Sequence, residues 1–289
     1  MVGRLSWSMR ALERGVIGND AGVVRTVRGS VSRRRARLRG PARHSASAPA
    51  EAVAEFRRTG VLRVDPPEGP GAATAVQQRV AGRLTSGEGC RDLGPPEEPW
   101  LHRYVVDAHL AEPSVCDLLD PGVVRSAEAA LDCGFRVRSV RVYRNLPPTQ
   151  CRDDDSLYAN LWHLDPNDAN DLRFFVYLRP TTRRSGALET VDRRTTRRVL
   201  VSGYLDKEQI RGPARRIIDR RAVVHEGPAG TGVLVDAQRV LHRAGVCAPG
   251  TYRDIVQFWL TPSVEPFDPG WADRLGPDPA FHGGGPGDG

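Results

Sequence analysis

Of the seven histidines in this 289-residue chain, one precedes an acid by two residues: His163 and Asp165 in "LWHLDPND". On a strand, residues i and i+2 share a face, so this imidazole and carboxylate can grip a metal ion from one side. A His-x-Asp pair alone arises easily by chance, and it gains weight from a third donor, His242, 79 residues later in "VLVDAQRVLHRAG". Two histidines and one carboxylate cap three adjacent positions of a six-coordinate ferrous ion and leave three open. Arg253 follows eleven residues further on, at the head of "RDIVQFWLTP". A guanidinium there can hold the distal carboxylate of a dicarboxylic cosubstrate through two parallel hydrogen bonds, a task for which Lys is less suited.

Such a constellation needs a rigid sheet beneath it, and the second half of the chain supplies strand signals. "FRVRSVRVYRN", from Phe135, alternates with a period of two. "LYANLWHLD", "DLRFFVYLRP", "GALETV", "RRAVV", "GVLVD" and "DIVQFWLTP" are short, rich in β-branched or aromatic residues, and separated by Gly, Pro, Asn and Asp. The front half reads as helical. A helix carrying Val53, Ala54 and Phe56 is closed by Gly60 and runs into a strand at Val61 to Val64, and further helices are expected at Ala72 to Leu84, Pro113 to Leu119 and Val123 to Leu131. Together these predict a mainly β fold, a two-sheet antiparallel sandwich or jelly roll with N-terminal helices packed on one sheet. A short helix is expected at Tyr204 to Gly212, and a loose tail from Gly276. The loops from Leu146 to Ser156 and from Thr181 to Thr196 are expected to frame the pocket mouth. Arg141 and Tyr143 read as a solvated strand face. The domain boundaries expected are an Arg-rich leader over 1–48, a catalytic body over 49–265 and a Gly/Pro-rich tail over 266–289.

"WHLD", then "LRFFVYLRP" and "SGALETV", then "LHRAGVCAPGTYRDIVQFWLTP" resemble the phytanoyl-CoA dioxygenase-like branch of the iron(II)- and 2-oxoglutarate-dependent oxygenases. The opening "EAVAEFRRTGVLRV" is similar to the N-terminal helix and strand of that family, and the resemblance spans roughly Ala50 to Pro262. It implies a double-stranded β-helix, iron ligation by His163, Asp165 and His242, and a 2-oxoglutarate anchor at Arg253. It also implies Fe(2+) as cofactor, 2-oxoglutarate and O2 as cosubstrates, and succinate and CO2 as co-products of hydroxylating a small organic substrate. Desaturation or ring closure would differ only in the later fate of that substrate. Phe175 matches an aromatic residue that often lines the cosubstrate pocket, and it reads equally well as a core aromatic. The chain departs from the pattern in two places. "VDRRTTRR" stands where relatives usually carry a Ser-His pair, and Ala244 occupies a position that often bears a hydroxyl two residues after the distal histidine. Retention of Asp165 argues against a halogenase, which carries a small residue there.

Charge and cysteine content bound the alternatives. The net charge of +7 sits in the leader: residues 1–43 hold eleven arginines against Glu13 and Asp20, and the remaining 246 residues carry −2. A near-neutral body makes no case for a phosphate-tracking surface, so no nucleic-acid partner is expected. Five cysteines (Cys90, Cys116, Cys133, Cys151 and Cys247) without a Cys-x-x-Cys pair fit a reducing, cytoplasmic setting. No run is apolar and long enough to cross a bilayer. "GPAGTG" at Gly227 to Gly232 lacks the βαβ context of a dinucleotide site and reads as a turn, and the absence of Gly-x-Ser-x-Gly removes a hydrolase elbow. His102, His109 and His225 read as structural histidines. The competing readings are a catalytically silent jelly-roll binding module and a cupin-like metalloenzyme, the latter weakened by the absence of a His-x-His pair.

Overall fold

The computed structural model describes residues 49–66, 68–93, 101–148, 161–165, 171–202, 210 and 212–282. Helix α1 (Ala50–Thr59) buries Phe56 and ends at Gly60, which adopts φ 81° and donates its N–H to the Phe56 carbonyl at 2.7 Å. Side chains rarely adopt that conformation, and a Cβ at Gly60 would lie 2.4 Å from Val240 Cγ2. The chain turns directly into β1 (Val61–Val64). Helix α2 (Gly69–Ser86) buries Ala73, Val76, Val80 and Leu84, spaced as one stripe of a 3.6-residue period. Strands β2 (Cys90–Leu93) and β3 (His102–Val105) follow, then a short α3 (Ala108–Ala111) and a 3₁₀ segment at Pro113–Leu118. In α4 (Pro121–Leu131) the Asp120 carboxylate accepts the Val123 N–H at 2.7 Å as an N-cap.

The remaining strands are β4 (Gly134–Asn145), β5 (Leu172–Tyr177), β6 (Leu188–Thr190), β7 (Val223–Val224), β8 (Gly232–Val235), β9 (His242–Ala244) and β10 (Arg253–Ser263). Between β6 and β7 run α5 (Arg193–Val201) and α6 (Gly212–Arg221), and α7 (Trp271–Arg274) and α8 (Pro279–His282) come last. A seven-stranded antiparallel sheet has the order β1-β8-β5-β10-β4-β3-β2, and a three-stranded sheet has the order β7-β6-β9. This is the expected jelly roll with flanking helices. The outer face of the large sheet (Val140, Val142, Phe174, Val176, Leu234, Val256, Phe258) packs under the N-terminal helices. Its inner face contributes Tyr143, Phe175, Tyr177, Val233, Val235 and Ile255 to a second core facing the small sheet, and a third core (Trp162, Val191, Val199, Ile218, Leu241) lies under α5 and α6.

Several local expectations are corrected. The stretch Thr181 to Thr196 is not a loop throughout: it carries β6, and Asp192 caps α5 by accepting the Thr195 N–H at 2.6 Å. "RRAVV" divides, with Arg220 and Arg221 ending α6 and Val223–Val224 alone forming β7. Tyr143 is buried rather than solvated, and Arg141 pairs with Asp278 at 2.7 Å. That pairing also overturns the loose tail for residues 276–282, since Asp278 is only 4% exposed and Phe281 sits against Tyr104 at 6.0 Å between ring centroids, while 283–289 lie outside the described residues. Most of the expected helix at Tyr204 to Gly212 and the first four residues of "LYANLWHLD" lie outside the described residues, as does Cys151, and in the rest of that stretch His163 forms an isolated bridge rather than a strand. The other four cysteines form no disulfide. Among the described residues, no helix is long and apolar enough to cross a membrane.

Candidate active site

Strand pairing brings His163, Asp165 and His242 together. His242 heads β9, where it stands opposite Thr190 of β6, and His163 forms a two-way backbone bridge with it (His163 N–H to His242 O at 3.0 Å, His242 N–H to His163 O at 3.1 Å). The Asp165 N–H is held in turn by the Ala237 carbonyl at 2.9 Å. The imidazole centroids are 4.3 Å apart. The Nδ1 atom of His163 lies 2.8 Å from the Leu161 carbonyl, and that of His242 lies 3.0 Å from the Val240 carbonyl. Only an N–H can satisfy a carbonyl, so each ring donates from Nδ1 and turns Nε2 toward Asp165. Both Nε2 atoms lie 3.6 Å from the same oxygen, Asp165 Oδ1. The three donor atoms fall within 4.8 Å of one another. Metal bonds near 2.1 Å at right angles separate neighbouring donors by about 3 Å, so a small closure would complete the set. His163 and His242 are 6% and 4% exposed.

The second oxygen of the carboxylate is also committed. Arg173, an inner-face residue of β5, donates Nε–H to Asp165 Oδ2 at 2.6 Å. Its guanidinium lies 3.7 Å from the centroid of Trp259, whose other approach is taken by Arg138 at 4.3 Å. Burial alone would raise the Asp165 pKa. The Arg173 charge, followed by the two histidines, overcomes that and holds the carboxyl well below the usual carboxylate range. Asp165 is therefore an anion with one oxygen tied and the other aimed at both Nε2 atoms. Sequence reasoning missed Arg173. Its signal was an arginine inside the apolar run "DLRFFVYL", at a position whose strand parity turns it inward.

Arg253 lies on the same inner face, at the head of β10. It is 2% exposed. Its Nη1 donates to the Gly186 carbonyl at 2.6 Å, and Nη2 and Nε donate to Asn145 Oδ1 at 2.9 and 3.3 Å. All of these acceptors are neutral, and among the described residues no carboxylate ion-pairs with it. Tyr143 feels both centres: burial raises its pKa, while the Arg253 cation pulls it down and the Asp165 anion pushes it up. The triad and the arginine therefore border one interior. Phe175 lies on this face beside Gln257 and Val233, 6% exposed, and packs as a core aromatic against it. Ala244 of β9 pairs with Leu188 and offers no hydroxyl. His109 bonds the Leu275 carbonyl and His225 bonds the Thr190 hydroxyl, both structural roles, whereas His102 lies in the row of Arg253.

No family model matches the chain, and no curated relative does. Solved structures do. EctD from S. alaskensis with 2-oxoglutarate and 5-hydroxyectoine superposes with a TM-score of 0.57 at 17% identity, over 83% of this chain and 90% of that one. The non-heme α-ketoglutarate-dependent carbocyclase SnoK from nogalamycin biosynthesis gives 0.51 at 19% identity, over 80% and 92%. HygX from Streptomyces hygroscopicus, with nickel, 2-oxoglutarate and hygromycin B bound, gives 0.52 at 16%, over 75% and 88%. At these identities the likeness is one of fold.

Proposed function

We propose that this chain is an Fe(II)- and 2-oxoglutarate-dependent dioxygenase that oxidises an unactivated C–H bond of a small organic molecule, releasing succinate and CO2. The observation that carries this reading is the convergence of two Nε2 atoms and one carboxylate oxygen on a single buried point, with Arg253, to which no carboxylate among the described residues is paired, on the same inner sheet face. The fold of solved proteins described as α-ketoglutarate-dependent supports it.

The donor set suits a borderline ferrous ion: His163, His242 and Asp165 would hold it on one face and leave the opposite face to cosubstrate and O2. Bound there, the metal would supply redox activation of O2 coupled to oxidative decarboxylation of the keto acid. The protein's share is positional and electrostatic. The Leu161 and Val240 carbonyls orient both imidazoles through Nδ1, and Arg173 fixes the carboxylate and keeps it ionised. Arg253 binds and orients the dicarboxylate by its distal end. Phe175, Tyr177, Val233 and Ile255 form the apolar floor that keeps bulk water from the reacting centre.

Anaerobic titration of the metal-free protein with ferrous iron and then 2-oxoglutarate tests the reading, through the weak visible charge-transfer band of a chelated keto acid. The band is expected with wild type and absent with His163→Ala. A folded wild type that gives no band refutes the assignment in favour of the silent binding module.

A further inference from the structure

Inner-face register aligns three polar side chains across three strands. His102 of β3 stands opposite Asn145 of β4, and Asn145 opposite Arg253 of β10. Their hydrogen bonds settle every proton in the row. Asn145 Oδ1 receives two N–H groups from Arg253, which fixes the amide, so its Nδ2 faces His102 Nδ1 at 2.5 Å and must donate. His102 therefore carries its own proton on Nε2. Burial, and then the Arg253 charge, lower the His102 pKa to about 4, so the ring is neutral near pH 7.

Two deficits of the same kind result. The His102 Nε2–H is buried, on a side chain 6% exposed, and among the described residues it has no hydrogen-bond partner. An orphaned buried donor costs about 1–3 kcal/mol. Arg253 spends three of its five N–H groups on neutral acceptors, and among the described residues no carboxylate pairs with it. One bound carboxylate would answer both, with its two oxygens shared between the free guanidinium hydrogens and the imidazole N–H. Chain neighbours of Arg253 do not fill that place: Asp254 points to the opposite face and is spent on Arg144 and Gln77.

Resting on the function proposed above, we infer that His102 is a specificity-determining residue: with Arg253 it clamps the distal carboxylate of the cosubstrate and selects a dicarboxylic over a monocarboxylic keto acid. Asn145 is the positioning residue that aims both donors. The chain thus builds its second donor from the large sheet, while Ala244 on the small sheet offers none.

The test compares 2-oxoglutarate with 2-oxobutanoate, which chelates metal identically but lacks the distal carboxylate. Anaerobic titrations of the ferrous protein followed by the charge-transfer band give the dissociation constants. His102→Phe is expected to weaken 2-oxoglutarate by 10- to 100-fold and to leave 2-oxobutanoate within about twofold, and His102→Gln, which restores an N–H, to recover most of the loss. Unmutated protein supplies a second readout. With Zn(II) in place of iron and ¹⁵N-labelled histidine, 2-oxoglutarate is expected to move the His102 Nε2–H proton resonance downfield, and 2-oxobutanoate to leave it in place. A wild type that binds 2-oxoglutarate tightly while the variants keep its selectivity, or while that resonance stays fixed, overturns the role of His102 and spares the dioxygenase reading. A wild type that forms no keto-acid complex at all overturns both.

Discussion

A carboxylate with two oxygens can serve a metal in several geometries, and Arg173 reduces Asp165 to one of them. With Oδ2 bonded to the guanidinium, only Oδ1 faces the two Nε2 atoms. Removing that bond by Arg173→Ala is expected to weaken ferrous binding about 10- to 100-fold without abolishing it, measured by anaerobic titration, as expected for an outer-shell partner of a ligand. His163→Ala removes a donor outright and is expected to abolish binding. Arg253→Ala is expected to leave iron affinity near wild type and to raise the 2-oxoglutarate requirement; equal loss of iron binding in His163→Ala and Arg253→Ala would contradict this division of labour. That His163, Asp165 and His242 come together was legible in the sequence because their types and order are restrictive. Arg173, Asn145 and His102 were not, because a lone polar residue in a strand gains meaning only when pairing reveals which residues stand beside it.

At the scale of elements, the antiparallel sheet buries a carboxyl group on each face, Asp254 on the outer and Asp171 on the inner, and each makes a stability prediction. On the outer face Arg144 binds Asp254 through two bonds of 2.7 and 2.8 Å, and Gln77 of α2 donates to Asp254 Oδ2 at 2.7 Å, tying helix to sheet. Asp254→Ala strands a buried guanidinium and is expected to cost about 3–5 kcal/mol in urea unfolding. At the head of β5, burial raises the Asp171 pKa to about 6, against the Trp259 indole N–H that donates to it at 2.5 Å. A carboxyl whose folded pKa lies above its unfolded value contributes stability that is full below the unfolded pKa, near 4, and is lost as pH rises through 6. Between pH 5 and 7.5 wild type is therefore expected to lose about 1 kcal/mol relative to Asp171→Asn, read from paired urea curves; a difference that does not change with pH would refute the shifted carboxyl. Alternation made β4 readable, and short runs of β-branched or aromatic residues between turn residues did the same for β5, β8 and β10. Helices α5 and α6 were not, because "RRTTRRVLV" and "GPARRIIDRR" bury only a few residues each and their arginines mask a narrow apolar stripe.

At the scale of the whole molecule, the C-terminal residues Asp278 to His282 cover the inner face of the large sheet near its β2-β3 edge. Composition hid this, because Gly and Pro near an end signal looseness, whereas the anchoring depends on Asp278, Phe281 and His282 reaching partners far away in sequence. Asp278 binds Arg141 and donates its backbone N–H to Asp107 Oδ1 at 2.7 Å, Phe281 lies against Tyr104, and His282 Nε2 approaches Asp107 Oδ2 at 2.5 Å. Arg141 and Tyr104 are inner-face residues, so the segment seals the same face that carries His102, Asn145 and Arg253. A chain ending after Leu275 is expected to lose about 2 kcal/mol, since Arg141 forfeits its buried carboxylate, and to melt roughly 4–8 °C lower. Asp278→Asn keeps the cover and removes the charge, so its melting temperature is expected to fall between those of the truncated and full chains. An unchanged melting temperature for the truncated chain would mean that the segment only rests on the surface, and that the β2-β3 edge holds Tyr104 and Arg141 in place without it.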